Sequence, residues 1–350
     1  MLVEDSIPLA YHIIAGIVDV SGIICNVFTL IFISFTKLGS RTATVLFRTQ
    51  CGFDGMACFI ALFTLFMTVD ISKYNGWFAV FLCRLWISEY CVKSVEMLNV
   101  SNLMWISIDR FCAVYLRAKY KTFQTYELFI CYTFILCYAI FTPLPLIFTV
   151  EYVNTTCKVS ETIYNSKYAN FVVYNWLVFA YVIPSTVMII CYTRVYYVVK
   201  YSVSRSQANN NSSSIEEKST QCTDVSTVSQ QQTSSHTQIT SSSFRQSKAV
   251  LLSVTIMCTL FVLSHAYFHI YSLASLYGII EYYAASLQRR LSVFFTVINS
   301  SLNPIILLVS SQQLRRKLIK TIHKFCHKMN FSKTYNSTMT TMENSTKTSD

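Results

Sequence analysis

Seven apolar runs, each about as long as the roughly 20 residues a helix needs to cross some 30 Å of hydrocarbon, partition the chain. They are Tyr11 to Phe35, Thr44 to Val69, Ala79 to Val114, Leu128 to Val150, Asn170 to Val199, Ala249 to Tyr277 and Leu291 to Val309. Inside lipid a backbone must satisfy its own hydrogen bonds, so runs of this kind are helices and the chain reverses between them. Only 13% of the 350 residues are charged and 53% are hydrophobic, against about 25% charged in soluble domains. The expected fold is therefore an all-α membrane protein, a bundle of seven transmembrane helices. The third and fifth runs exceed one span and should tilt or project into the cytoplasm.

Lysine and arginine set the orientation. Lys37, Arg41 and Arg48, then Arg117, Lys119 and Lys121, then Lys200, Arg205, Arg245 and Lys248, then Arg315, Arg316, Lys317, Lys320 and Lys324 fall in alternate connections and the tail. The opposite connections hold Glu4, Asp5, Asp70, Glu151, Glu161 and Glu281 beside Lys73, Lys158 and Lys167. This places the amino terminus outside and the carboxyl terminus in the cytoplasm. The net charge of +11 then reflects topology and attraction to anionic inner-leaflet lipid, not nucleic acid. Met1 to Leu9 carries Glu4, Asp5 and Pro8 and lacks the basic start of a cleaved signal, so the first span is expected to serve as the targeting signal.

The organisation that follows is an external segment 1–10, a bundle 11–310, an amphipathic juxtamembrane helix 311–327 and a disordered cytoplasmic tail 328–350. Within the bundle, 202–247 is rich in Ser, Thr, Gln and Asn and is expected to be a disordered cytoplasmic loop, having too little apolar surface to fold alone. In the juxtamembrane stretch Leu314, Leu318, Ile319 and Ile322 recur at helical spacing, which suits a helix lying on the inner leaflet.

Charged and polar residues inside apolar runs ask for partners or a function. Asp54, Asn99, Asn299, Ser300 and Asn303 each need a hydrogen-bond partner inside the bundle. Asp109-Arg110-Phe111 closes the third run with a charged pair at its boundary.

Several motifs stand at mutually consistent spacings: Asn26 in the first run, Asp54 in the second, and Asp109-Arg110-Phe111 with Leu103 seven residues before the arginine. The fifth run gives Ile183-Pro184 and, eight residues on, Cys191-Tyr192; the sixth gives Phe261, and the seventh Asn299-Ser300-Ser301-Leu302-Asn303-Pro304. In this ordered set the chain resembles the rhodopsin-like (class A) G-protein-coupled receptors, from about Ile13 to Phe325. A divergent invertebrate neuropeptide or orphan receptor fits these features.

The resemblance implies roles. Arg110 would be restrained at rest and released to meet a heterotrimeric G-protein when the sixth span swings outward. Ser247 stands where many relatives carry an acid, which leaves Asp109 as the nearer partner of Arg110. Tyr192, Asn303 and Pro304 would belong to the same switch, and Val100, Pro184 and Phe261 to a connector between ligand cavity and cytoplasmic half. Asp54, Asn99, Asn299, Ser300 and Asn303 would hold a structural sodium ion through hard oxygen ligands, or form a plain interhelical network. No other cofactor is implied. A disulfide is expected from Cys157 to Cys83, with Cys91 as competitor, because the family's usual cysteine position is Leu85 here. Cys326 suits palmitoylation, though a free cytosolic thiol fits as well. Asn154-Thr155-Thr156 is the external glycosylation triplet. Ser and Thr of the cytoplasmic segments are candidate sites for receptor kinase and arrestin.

Departures from the family pattern are equally specific. Ser264-His265-Ala266-Tyr267 replaces its Cys-Trp-x-Pro, Leu307 replaces the tyrosine of Asn-Pro-x-x-Tyr, and the fourth run has no tryptophan. Val92 replaces the aspartate that holds amines and Val297 the lysine that holds retinal, which disfavours both ligand classes.

The expected ligand site combines Glu89, Lys93 and Glu96, at i, i+4 and i+7 on one face of the third span, with Tyr181, His265, Tyr267, His269, Arg289 and Arg290. A mixed-charge aromatic cavity suits a peptide, and an external segment of about ten residues suits a short neuropeptide rather than a protein. The alternative is that Lys93 satisfies Glu89 and Glu96, and that His265 is a hydrogen-bonded core residue. No nucleophile with its base, phosphate loop or metal-ligand spacing suggests an enzyme. The competing functions are a constitutive or decoy receptor-like protein and a transporter or channel, whose inverted repeats are not seen in the sequence.

Overall fold

The first long helix buries one narrow stripe and leaves the remainder apolar and outward-facing, the pattern of a helix packed on its neighbours and bathed in lipid. In α1 (Leu9–Ser34) the buried positions are Ala15, Asp19, Gly22, Asn26, Thr29 and Ile33, spaced four and three residues apart. Ile13, Ile17, Ile24 and Ile31 cover the opposite side and are exposed. The computed structural model describes residues 9–36, 38, 40–66, 70–115, 117–160, 166–216, 231–280, 287–311, 313–321 and 323, with side chains undescribed at 117–125, 166, 199, 202–216, 231–250 and 289.

The other helices are α2 (Arg41–Phe66), α3 (Gly76–Leu82), α4 (Tyr90–Tyr115), α5 (Arg117–Phe141), α6 (Ser166–Trp176), α7 (Ile183–Glu216), α8 (Gln231–Leu276) and α9 (Leu287–Ser310). A single π-helical stretch, Leu177–Val182, joins α6 to α7 into one span. Among the described residues six spans are long and apolar enough to cross a bilayer. The seventh is α4, which carries Lys93, Glu96, Asp109 and Arg110 and sits in the middle of the bundle, touching α2, α5, α7 and α8. The ring closes where α9 packs on α1, α2 and α8. Residues 313–321 form a further short helix in which Leu314 is buried and Ile319 exposed.

The structure departs from the sequence expectation in three places. The third run is not one helix. Its beginning folds as α3 and a π turn, Cys83–Ile87, and the chain breaks at Ser88 and Glu89, where Glu89 takes φ 65°. Ser88 Oγ accepts the Tyr90 N–H at 3.2 Å and so starts α4 afresh. The surplus length therefore lies at the end opposite Asp109 and Arg110, not beyond them. The fourth run ends early at Phe141, because Pro143 and Pro145 interrupt the helical ladder and leave a 3₁₀ turn, Leu144–Phe148. The backbone is helical through Glu216 and again from Gln231, where the sequence suggests disorder across 202–247. Extending an existing helix fixes one residue per hydrogen bond, far less costly than nucleating one.

A two-stranded hairpin caps the same end as α3. Strand β1 (Val150–Val153) pairs antiparallel with β2 (Thr156–Val159), and the turn residues Asn154 and Thr155 have φ of 50° and 65°. Two consecutive left-handed residues make the tight turn whose twist matches the strands, a conformation asparagine tolerates well.

Gly22 marks the closest approach of α1 to its neighbours. A Cβ there would stand 2.4 Å from Ser301 Oγ and 2.6 Å from Cys58 Sγ. Gly22→Ala is expected to destabilise the bundle by about 1–3 kcal/mol through overpacking, seen as a lowered thermal midpoint of the detergent-purified protein.

Candidate functional site

The hairpin end of the bundle contains two neighbouring cavities, of about 260 Å³ and about 750 Å³, that share Ile87, Glu89 and Lys93 as walls. Lys93, on α4, is buried with its ammonium 2.7 Å from Glu96 Oε2, one helical turn on. The same ammonium lies over the rings of Phe268 at 4.3 Å and Trp176 at 5.0 Å. A buried cation needs an anion and benefits from aromatic faces, and here α4, α6 and α8 supply both.

Glu96 is only half satisfied. Its Oε1 accepts no hydrogen bond and lies 3.6 Å from His265 Nε2. His265 Nδ1 lies 3.1 Å from both the Phe261 carbonyl and the Ser264 hydroxyl, so that nitrogen has a partner in either tautomer. Glu96 Oε1, which has no hydrogen-bond partner among the described residues, and His265 Nε2 face one another on the wall of the smaller cavity. An incoming N–H group could satisfy the carboxylate oxygen. One turn further along α8, His269 lines the larger cavity, stacks on Tyr181 at 4.8 Å and has no partner at Nε2. The Tyr181 hydroxyl donates to the Val262 carbonyl at 3.2 Å.

Of the residues expected at the ligand site, Lys93, Glu96, His265 and His269 thus converge, with Tyr181 behind His269. Glu89 is not on the helical face with Lys93 and Glu96, because it precedes α4 in a left-handed conformation; it nevertheless lines both cavities. Tyr267 does not line these cavities. Two residues past His265 it points to another side of α8, where it packs edge-on against Phe295 at 5.3 Å. Arg290 lies apart, on a third cavity of about 220 Å³ with Tyr11 and Asp19. The side chain of Arg289 lies outside the described residues. Sequence reasoning passed over Asp19, although a lone carboxylate in the middle of a 26-residue apolar helix was the available signal.

The floor of the 260 Å³ cavity is polar, reaching Gln50, Asn99, Asn299 and Ser300. Gln50 organises it: its amide nitrogen donates to Asp54 Oδ2 at 3.1 Å and to Asn99 Oδ1 at 3.2 Å, and its oxygen accepts from Asn102 Nδ2 at 2.8 Å. Asn303 Nδ2 donates to Asp54 Oδ2 at 3.0 Å, and Ser300 lines the same floor. Gln50 and Asn102 were also not singled out from sequence. Asp54 Oδ1, Asn299 Oδ1 and Asn303 Oδ1 are buried acceptors without a hydrogen-bond partner among the described residues, a donor set that fits a small hard cation.

Val100 and Phe261 are buried in the main core, and the His265 ring rests on Phe261 at 4.2 Å. Pro184 follows the π stretch, in which the Ile183 N–H reaches back five residues to the Val178 carbonyl. The missing N–H of proline suits that local rearrangement.

At the other end of α4, Asp109 is buried and accepts from Arg110 Nε at 2.9 Å, while Arg110 Nη2 donates to Ser40 Oγ at 3.2 Å. Glu127 of α5 is close enough to act electrostatically on both members of the pair. Phe111 stacks on Tyr115 at 4.6 Å. The Tyr192 hydroxyl is buried without a hydrogen-bond partner, and Leu307 is a fully buried part of the core.

Cys83 and Cys157 form a disulfide with Cα atoms 5.6 Å apart, and Cys91 is free. Asn154 is exposed at the hairpin turn. Cys326 lies outside the described residues.

Residues 25–307 match the family model described as 7 transmembrane receptor (rhodopsin family). No curated protein matches the chain.

Removing Glu96 alone strands a buried ammonium, whereas removing both charges does not. Glu96→Ala is expected to cost about 3–5 kcal/mol and to lower the thermal midpoint of purified protein, and adding Lys93→Met to it should recover most of the loss.

Proposed function

The chain belongs to the rhodopsin family of seven-transmembrane receptors, and from that premise we propose that it transduces binding of a short extracellular neuropeptide into activation of a heterotrimeric G-protein. The observation that carries the reading is the placement of an unmet carboxylate oxygen at one end of α4 and a restrained arginine at the other. Glu96 Oε1 faces the 260 Å³ cavity beside His265 Nε2 and has no hydrogen-bond partner among the described residues, which favours a ligand that carries N–H groups over a lipid. The amino terminus, hairpin and cavities are external in this reading, with Asn154 glycosylated, and Arg110 faces the cytoplasm.

Peptide N–H groups engage Glu96 and His265, and the His265 ring presses on Phe261 within the core shared with Val100. Displacement of Phe261 lets α8 pivot away from α4, and Arg110 exchanges Asp109 and Ser40 for the G-protein. Tyr192, Asn303 and Pro304 take part in that rearrangement. Asp54 Oδ1, Asn299 Oδ1 and Asn303 Oδ1, with Asn99 and Ser300 beside them, would hold a sodium ion, which supplies positive charge to a buried carboxylate. Receptor kinases and arrestin act on the serine- and threonine-rich segments, and Cys326 carries a palmitoyl group.

Leu307 favours a second reading, a constitutive or decoy receptor. The fully buried alkyl side chain cannot offer the hydroxyl that in relatives helps hold the active arrangement.

G-protein dissociation in cells expressing wild type and Arg110→Ala, measured basally and against a library of short amidated peptides, separates these. A peptide response lost in the variant is the expected outcome. A high basal signal lost in Arg110→Ala would indicate constitutive activity. Peptide binding without dissociation would indicate a decoy.

A further inference from the structure

The third cavity carries a group that the ligand site described above does not use. Asp19 is 3% exposed on the inward stripe of α1, yet among the described residues no hydrogen bond or ion pair reaches its carboxylate. A buried carboxylate without a partner is costly in a span, and this one lines a cavity of about 220 Å³ between α1, α2 and α9. Arg290 lines the same cavity but makes no ion pair with Asp19 among the described residues; its carbonyl accepts from the Tyr11 hydroxyl at 3.0 Å. That bond fixes the start of α1 on the start of α9 and forms one wall.

The volume is below the roughly 300–1,000 Å³ of a whole ligand site, so the space suits one group of a larger ligand. It is not isolated: Thr64 and Glu89 line both this cavity and the 260 Å³ cavity beside Lys93. Lys93 is already neutralised by Glu96, whereas Asp19 has no such neighbour. We propose that Asp19 is the counter-ion for an organic cation of the ligand, an ammonium or guanidinium that enters between α1, α2 and α9 while the rest of the ligand occupies the 260 Å³ cavity. This rests on the peptide-receptor reading for the identity of the ligand, but the site itself can be tested without any signalling response.

Thr64→Cys places a thiol on the shared wall. Its rate of modification in whole cells by a trimethylammonium-ethyl methanethiosulfonate is compared with that by the sulfonatoethyl reagent, each corrected for the protein's own cysteines. The cationic reagent is expected to react about tenfold faster than the anionic one. That preference should fall to near parity when Asp19→Asn is added and persist or rise with Arg290→Gln, which also controls for general damage to the fold. Ethylguanidine and glycinamide as blockers distinguish a guanidinium side chain from a terminal ammonium, since the matching cation slows labelling in the Asp19 background only. Equal rates with both reagents, a preference for the anion, or a cation preference that survives Asp19→Asn would overturn the proposal. None of these outcomes depends on G-protein activation, so failure here and failure of the receptor reading are separable.

Discussion

The bundle depends on Gln50 and Asp54, because lipid gives helices no hydrophobic reason to associate and polar contacts between them must supply specificity. From α2 these two side chains reach Asn99 and Asn102 on α4 and Asn303 on α9. Asn26 extends the tie to α1, donating to the Ser300 carbonyl at 3.1 Å. Four helices are thereby held in one register around a polar floor. Both the cavity above and the Asp109–Arg110 pair below inherit their positions from it.

That floor also explains why the two ends of α4 can communicate. The helix is continuous from Tyr90 to Tyr115, so a displacement imposed at Glu96 is carried as a rigid body toward Arg110. The core between them, with Val100, Leu103, Phe261 and Leu307, is closely packed and apolar. Packed cores of this kind tend to have discrete arrangements instead of deforming continuously.

Much of the fold was legible because lipid enforces a simple rule. Apolar length gave the helices, and polar residues within them gave the inward faces: Asp54, Asn99, Asn303 and the Asp109–Arg110 pair were all found this way. The errors came where local chemistry, not hydropathy, set the backbone. The break at Ser88 and Glu89 is invisible to hydropathy, since a run with Cys83 through Ile87 reads as one span whether or not it turns. Tyr267 was misplaced because it adjoins His265 in sequence but not in angle around α8. Asp19 was overlooked for the opposite reason. A single carboxylate in α1 belongs to no motif, and its meaning appears only when the walls around it are known.

Lys93 is a wall held in common by the 260 Å³ and 750 Å³ cavities, and it has a single charge to offer. A donor that draws Glu96 away on one side leaves the ammonium to attract an acceptor on the other. Were both spaces occupied, whatever factor the first occupant applied to the affinity of the second, the second would return to the first. One ammonium between two chambers would let the two ends of a ligand that filled both report on each other before any helix moved.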